Sequence, residues 1–263
     1  MQPILQGKTI LVAGSSRGLG YAVAHASAAE GANVFMGSRD VEKLAHSASQ
    51  IVKNTGSNVL YSPLDVSRYD SIKRWVDAAL QQFGRIDGLL VNAGGPPAGT
   101  LESLTDQQWQ SAYELTLLSA VRLIRECLSV MKKSSGGSIV TITSVSVKEP
   151  IDMLLLSNVF RSGVTSLVNT LSRDLASYSI RINNILPGRF DTERVEQLDR
   201  IIAESKGIGI SEVRSSFFEQ IPLSRYGKPE ELGNLAAFLF SEKASFITGV
   251  TIPVDGGMTK TVW

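Results

Sequence analysis

Short apolar or β-branched runs alternate along the chain with longer segments whose apolar positions recur at helical spacing. Thr9–Ala13 (TILVA), Asn33–Met36, Val59–Leu64, Gly88–Asn92, Ser138–Thr143, Ile180–Leu186 and Val250–Val254 read as strands. Amphipathic patterns near Tyr21–Glu30, Val41–Lys53, Ser71–Phe83, Gln107–Met131, Ser157–Tyr178 and Pro229–Phe240 read as helices. The strand runs alternate little between apolar and polar, as strands buried on both faces do. Such strands separated by helices predict an α/β fold, a Rossmann-type doubly wound parallel sheet of about seven strands with helices on both faces. No repeat, low-complexity tract or Pro/Gly/Ser-rich linker divides residues 1–263, so a single domain is expected. Asp191–Lys228 is the one long stretch without a strand run. It is polar, charged and partly helical, and is expected to lie over a substrate cleft.

Composition narrows the function classes. With 43 % apolar and 19 % charged residues, 263 residues suffice for a large buried core. A net charge of +1 gives no electrostatic basis for binding nucleic acid or an anionic membrane surface. No run of about 18 apolar residues predicts a membrane span, and the first residues, MQPILQGKTILVAG, do not read as a secretory signal. The single cysteine, Cys127, precludes an intrachain disulfide and fits a cytoplasmic location. Its setting, SAVRLIRECLSV, is that of an inert helix residue. With only His25 and His46 and no Cys/His cluster, no metal site is expected.

The first strand runs into AGSSRGLG, Ala13–Gly20, and a helix follows. Gly14, Gly18 and Gly20 lack a Cβ and let the backbone approach a pyrophosphate. Ser16, Arg17 and Leu19 lie between them, and the helix N-terminus supplies N–H donors and a positive dipole end.

The spacing G-x-x-x-G-x-G resembles the short-chain dehydrogenase/reductase family. Further motifs follow in order. Asp65-Val66 resembles the family's adenine-contacting pair, Asn92-Ala93-Gly94 its NAG motif, and Ser144 its catalytic serine at the end of the fifth strand. Pro187-Gly188 with Thr192 resembles its P-G-x-x-x-T, which meets the nicotinamide amide. The tail FITGVTIPVDGG resembles its closing strand. The nearest general likeness is to 3-oxoacyl-carrier-protein reductases. The resemblance implies a nicotinamide cofactor, a small-molecule ketone or acyl thioester substrate, and a homotetramer or homodimer formed through the two long helices and the C-terminal strand. The end MTKTVW, with Trp263, suits a subunit contact or an intrachain dock.

The second strand ends in MGSRD. Where NAD-selecting members of the family place a carboxylate for the ribose 2′-OH, this chain has Ser38, followed by Arg39. Arg17 in the glycine loop is expected to face the same ribose. Two guanidinium groups without a carboxylate at position 38 favour a 2′-phosphate, and so NADP(H) over NAD(H). Asp40, one residue further on, complicates that reading.

The catalytic end departs from the family. Thirteen residues after Ser144 stands Ser157, and four later Arg161, where the family has a tyrosine and a lysine. The following SGVTSLVNTLSRDLA keeps the register without a gap. No tyrosine occurs between Tyr113 and Tyr178, which also argues against the wider enoyl-reductase spacing. Thr116 stands where the family has a helix asparagine. Arg161 can supply a cation and ribose hydrogen bonds but cannot relay a proton. A serine is a far weaker acid than tyrosine, whose reference pKa is about 10. Losing general acid catalysis costs about 10²–10⁴ in rate. Lys148, four residues past Ser144, is a substitute acid if its surroundings lower its pKa. Tyr113 reads as a packing aromatic, and Asp152 and Arg189 as rim residues. Three readings follow: an NADP(H)-dependent oxidoreductase using Ser144 with an atypical donor, a lyase or isomerase in the same cleft, and a non-catalytic NADP(H)-binding sensor or partner subunit.

Overall fold

A computed structural model describes residues 2–134 and 136–261. Seven parallel strands form one sheet in the order β3-β2-β1-β4-β5-β6-β7. They are β1 (Thr9–Ala13), β2 (Asn33–Ser38), β3 (Val59–Pro63), β4 (Gly88–Val91), β5 (Gly137–Ile142), β6 (Ile180–Pro187) and β7 (Thr251–Val254). The connecting helices are α1 (Gly18–Ala29), α2 (Val41–Thr55), α3 (Tyr69–Phe83), α4 (Asp106–Tyr113), α5 (Ser119–Lys133), α6 (Leu155–Ala176), α7 (Glu193–Lys206), α8 (Ile210–Gln220) and α9 (Pro229–Phe240). The expected doubly wound sheet is present. Trp263, at the expected subunit contact, lies outside the described residues.

All five residues of β1 are buried, and the pleat divides them between two cores. Ile10 and Val12 face α1 and α9, while Leu11 and Ala13 face α3, α5 and α6. Burial on both faces is why the strand runs lack polar alternation. Cys127 lies in the second core, and burial pushes its thiol up to about 12, so it is unreactive at neutral pH. None of the described helices is long and apolar enough to cross a membrane.

Two boundaries differ instructively from the sequence reading. The long helix expected at Gln107–Met131 contains a π turn, Glu114–Leu118, between α4 and α5. Inserted residues of this kind leave no periodicity signal in a single sequence. The Ser119 hydroxyl donates to the carbonyl of Leu115 at 2.5 Å, serving a backbone acceptor within the π turn. Helix α6 begins at Leu155, two residues before the expected start, so Ser157 sits inside its first turn rather than before it.

Residues 191–228 fold as α7 and α8, which a buried polar cluster ties to the end of β6. Arg189 pairs with Asp199 of α7, and the Tyr226 hydroxyl donates to the other Asp199 oxygen at 3.0 Å. The Arg189 guanidinium also stacks 3.2 Å from the Phe217 ring centroid. Arg214 of α8 reaches back to Asp191 at 2.6 Å. Desolvation raises the Tyr226 hydroxyl to about 12, which keeps it a donor to Asp199 at physiological pH. Arg189 is therefore an anchor for the segment. We expect Asp199→Ala, which strands a buried cation, to cost about 3–5 kcal/mol. Proteolysis and hydrogen exchange should then show α7 and α8 opening before the sheet; protection unchanged from wild type would refute the anchor.

Candidate functional site: a dinucleotide crevice and its catalytic end

Strand order reverses between β1 and β4, whose connections leave to opposite sides and open a crevice at their carboxyl ends. The glycine loop lies on one lip. Gly14 and Gly18 have φ of +64° and +58°, a left-handed backbone that favours glycine. At Gly20 a Cβ would stand 2.2 Å from the Gly14 carbonyl oxygen, so only glycine lets α1 start this close to the loop. Asn92 lies on the other lip. Its amide donates to the carbonyls of Ala13 and Gly14 at 3.3 and 3.2 Å, bridging β1 to β4 where their pairing has ended. A Cβ at Gly94 would meet nothing within 4 Å, leaving the backbone there open to a ligand. Leu19, by contrast, is half-buried against the core beneath α1.

At the ribose-selecting end, Ser16 and Ser38 share a hydrogen bond of 2.9 Å, and the Ser47 hydroxyl donates to the Ser16 carbonyl at 2.8 Å. Arg39 is exposed and has no ion-pair partner among the described residues. Asp40 is occupied elsewhere: its carboxylate caps α2, accepting from the Lys43 N–H at 3.1 Å. That bond holds its carboxyl below the usual aspartate range. Asp65 turns inward on its own loop, accepting from the N–H and hydroxyl of Ser67 at 3.0 and 2.7 Å, and Val66 is buried in the core.

The chain from β6 to α7 crosses the crevice. Gly188 is bonded to Val254 at 2.9 Å, and a Cβ there would run into Asp255, 2.6 Å away. Thr192 caps α7, accepting from the Val195 N–H at 3.3 Å. Its methyl lies 3.8 Å from where a Gly18 Cβ would be, so Pro187–Thr192 closes over the glycine loop. The next two residues grip both lips. Glu193 pairs with Arg17 on the glycine-loop side, and Arg194 donates to the Pro96 carbonyl at 3.3 Å on the β4 side. Sequence reasoning missed both residues, because no local pattern shows that the start of α7 spans the crevice.

The catalytic end lies beside β5. Ser144 caps a short 3₁₀ turn, Val145–Val147, its oxygen accepting from the Ser146 N–H at 3.1 Å. Occupying that lone pair leaves the O–H free to donate outward. Lys148 ends the same turn and is half-buried. The counted positions do meet: Arg161 Nε donates to Ser157 Oγ at 3.1 Å. The same guanidinium donates through Nη1 to the carbonyls of Ile142 and Thr143 at 3.2 and 2.8 Å. Arg161 therefore ties α6 to the last carbonyl of β5 and to the next one, Thr143, immediately before Ser144. Burial, with the charge of Arg194 adding to it, lowers its guanidinium to about 10, so it remains a cation at neutral pH. A small cleft lies in front of it, walled by Asn92, Ala93, Thr116 and Thr143. Thr116, in the π turn, also lines it, and its buried hydroxyl has no partner among the described residues. Tyr113 instead packs on Phe160, ring centroids 6.0 Å apart. Asp152 is exposed.

Known proteins share both sequence and fold. A family model described as enoyl-(acyl carrier protein) reductase matches residues 13–259. The chain belongs to the short-chain dehydrogenase/reductase family. It is 31 % identical over 258 residues to a 3-oxoacyl-(acyl-carrier-protein) reductase of Chlamydia muridarum, covering 98 % of this chain and 100 % of the relative. It is 31 % identical over 257 residues to glucose 1-dehydrogenase 2 of Bacillus subtilis, covering 97 % and 96 % of the two chains. Among solved structures, L-sorbose reductase from Gluconobacter frateurii, complexed with NADPH and L-sorbose, superposes with a TM-score of 0.94 at 31 % identity, over 100 % of both chains. These relatives make the chain an oxidoreductase of this family, with a small molecule as substrate.

The glycine lip fits a dinucleotide pyrophosphate because side-chain bulk is excluded there. Gly20→Ala places a methyl against the Gly14 carbonyl. We expect it to weaken nicotinamide cofactor binding at least about tenfold in a fluorescence titration, an effect of 1.4 kcal/mol or more. Unchanged affinity in a folded variant would show that the lip does not hold the cofactor.

Proposed function

We propose that the chain is an NADP(H)-dependent carbonyl reductase or alcohol dehydrogenase that works without a tyrosine proton donor. The observation that carries this reading is Ser144 at the carboxyl end of β5, beside a crevice whose glycine lip has no room for side-chain bulk. The bound cofactor would supply the hydride. Gly14, Ser16, Arg17, Gly18, Leu19 and Gly20 would hold its pyrophosphate end through backbone N–H groups and the α1 dipole. Asp65 and Val66 would flank the adenine. Asn92, Ala93 and Gly94 would line the middle, and Pro187, Gly188 and Thr192 would meet the nicotinamide amide.

The preference for the 2′-phosphate rests on Ser38, Arg39 and Arg17. Asp40, committed to its helix cap, is turned to another task. Arg17 would have to share its charge with Glu193, which leaves Arg39 as the freer partner.

Ser144 would donate its free O–H to the substrate oxygen and hold the carbonyl for attack. Arg161 would steady that oxygen's surroundings electrostatically and touch the nicotinamide ribose with its remaining donor. Its guanidinium, fixed to two carbonyls and Ser157, keeps its proton. Ser157 accepts from Arg161 and is no acid of consequence. The proton would come from Lys148 or from water admitted to the cleft. Residues 191–228 would cover the substrate.

Oxidation of NADPH against ketones and 3-oxoacyl thioesters tests this. Ser144→Ala should lower kcat/KM by about 10²–10³-fold, and Lys148→Met by about 10²-fold or more if it is the acid. Ser157→Tyr with Arg161→Lys should raise carbonyl reduction above wild type. Turnover indifferent to Ser144→Ala would refute the site, and tight NADPH binding without any turnover would mark a non-catalytic binder. The titration should give a lower Kd for NADPH than for NADH; equal values would remove the 2′-phosphate reading.

A further inference from the structure

The charges around the ribose-selecting end are mixed. Arg17, Arg39 and Lys43 are cations, and Asp40 and Glu193 are carboxylates. Asp40 is committed to its own helix: it caps α2 and lies 3.5 Å from the Lys43 ammonium. Arg39 has no ion-pair partner among the described residues. Glu193 belongs to neither element. It arrives from 176 positions away and pairs with Arg17, the guanidinium of the glycine loop.

The backbone, and not the ion pair alone, holds Glu193 over that loop. Thr192, just before it, caps α7, and its methyl lies 3.8 Å from where a Gly18 Cβ would be. Arg194, just after it, donates to the Pro96 carbonyl at 3.3 Å on the opposite lip. Further back, the Asp191 N–H donates to the Gly227 carbonyl and the Gly227 N–H to the Arg189 carbonyl, each at 2.9 Å. Glu193 is therefore the first helical residue of a strap fixed on both sides of the crevice. A carboxylate is also favoured there by the α7 dipole.

The side chains of Arg17 and Glu193 are 55 % and 63 % exposed. A pair this open to water contributes little to folding, but it decides what Arg17 can offer a ligand. A ribose 2′-phosphate carries about two negative charges near neutral pH. To use Arg17 it must displace the Glu193 carboxylate and then lie beside it, like charge against like. A ribose 2′-hydroxyl is neutral and meets neither obstacle. Glu193 thus opposes one cofactor and is indifferent to the other.

We infer that Glu193 is a specificity-determining residue: its carboxylate competes with the cofactor's 2′-phosphate for Arg17 and holds the preference for NADP(H) over NAD(H) below what Arg17 and Arg39 alone would set. The inference rests on the reading above in which Arg17 faces the 2′-phosphate. It adds a residue on the far side of the crevice to a selection otherwise made by the glycine loop and the end of β2. The pyrophosphate cradle is common to both cofactors and is left out of the discrimination.

The test measures NADPH and NADH dissociation constants by fluorescence titration of the intact protein. Wild type, Glu193→Gln, Arg17→Gln and the double variant are compared. Glu193→Gln should lower the Kd of NADPH about three- to fivefold and change that of NADH by less than about twofold. In the Arg17→Gln background the same substitution should gain less than about twofold for NADPH. The gain should also shrink at about 0.5 M salt, where exposed charges are screened. Equal shifts for the two cofactors would overturn the inference, because Glu193 would then act on the strap and not on the phosphate. So would an undiminished gain in the Arg17→Gln background, or no gain at all. The underlying readings fail in other ways. Arg17→Gln that weakens NADPH and NADH by the same factor would remove Arg17 from the 2′-phosphate, and the inference with it. Wild type with equal constants for both cofactors, alongside a Glu193→Gln variant that prefers NADPH, would sink the NADP(H) preference and uphold the role of Glu193.

Discussion

The amide of Asn92, bonded to the carbonyls of Ala13 and Gly14, is the contact on which the rest of the site depends. In a parallel sheet the backbone ladder holds neighbouring strands together only along their paired length. At the order reversal the two strand ends must part, since their chains leave for opposite layers. One side chain therefore does what the ladder no longer can. It sets the separation of the two lips, and with it the width offered to a dinucleotide. It also fixes the loop that follows β4, which is a wall of the catalytic cleft. A shift at Asn92 would move the cofactor and substrate ends together.

A second set of contacts sets the depth of the site. Arg161 reaches from α6 to the last carbonyl of β5 and to the next one, Thr143, immediately before the position from which Ser144 projects. Four residues earlier, Ser157 sits in the first turn of α6 and accepts from the Nε of the guanidinium. A lysine has neither the planar fork nor the reach in two directions for this arrangement. Arginine here makes a rigid strut between helix and sheet, with proton mobility given up in exchange. The opposite wall is carried by α7, which the Arg189–Asp199–Tyr226 cluster anchors from behind. Both walls of the catalytic end are thus positioned by arginines whose partners are backbone or buried side chains.

Much of this was legible in the residues. The strands stand out because both faces are buried, so their apolar runs are unbroken. The glycine loop stands out because glycine alone tolerates the φ values and close approaches at Gly14, Gly18 and Gly20. Counting from Ser144 identified Ser157 and Arg161, because helix α6 continues in register and places them one turn apart and in contact. What the sequence hid was direction. Whether Asp40 faces the ribose or its own helix is decided by an N-cap bond that competes locally. Whether Arg17 is free is decided by Glu193, 176 positions away. The reach of Arg194 to the Pro96 carbonyl follows from where α7 starts, which depends on anchoring by residues of α8 and the loop beyond it. Tertiary placement of this kind has no local signature.

The π turn at Glu114–Leu118 has a consequence for how the protein can vary. One additional residue in a helical turn rotates everything beyond it by about 100°. Before the turn, Trp109 and Ala112 pack on Leu156 and Phe160 in a small cluster of their own. After it, Leu123, Ile124 and Cys127 pack on the sheet. The long rod is thus two rods with unrelated faces, joined at a swivel whose buried residue, Thr116, lines the cleft. Changes that reshape the outer cluster need not disturb the packing of α5 on β4. The active-site wall can drift while the scaffold stays still.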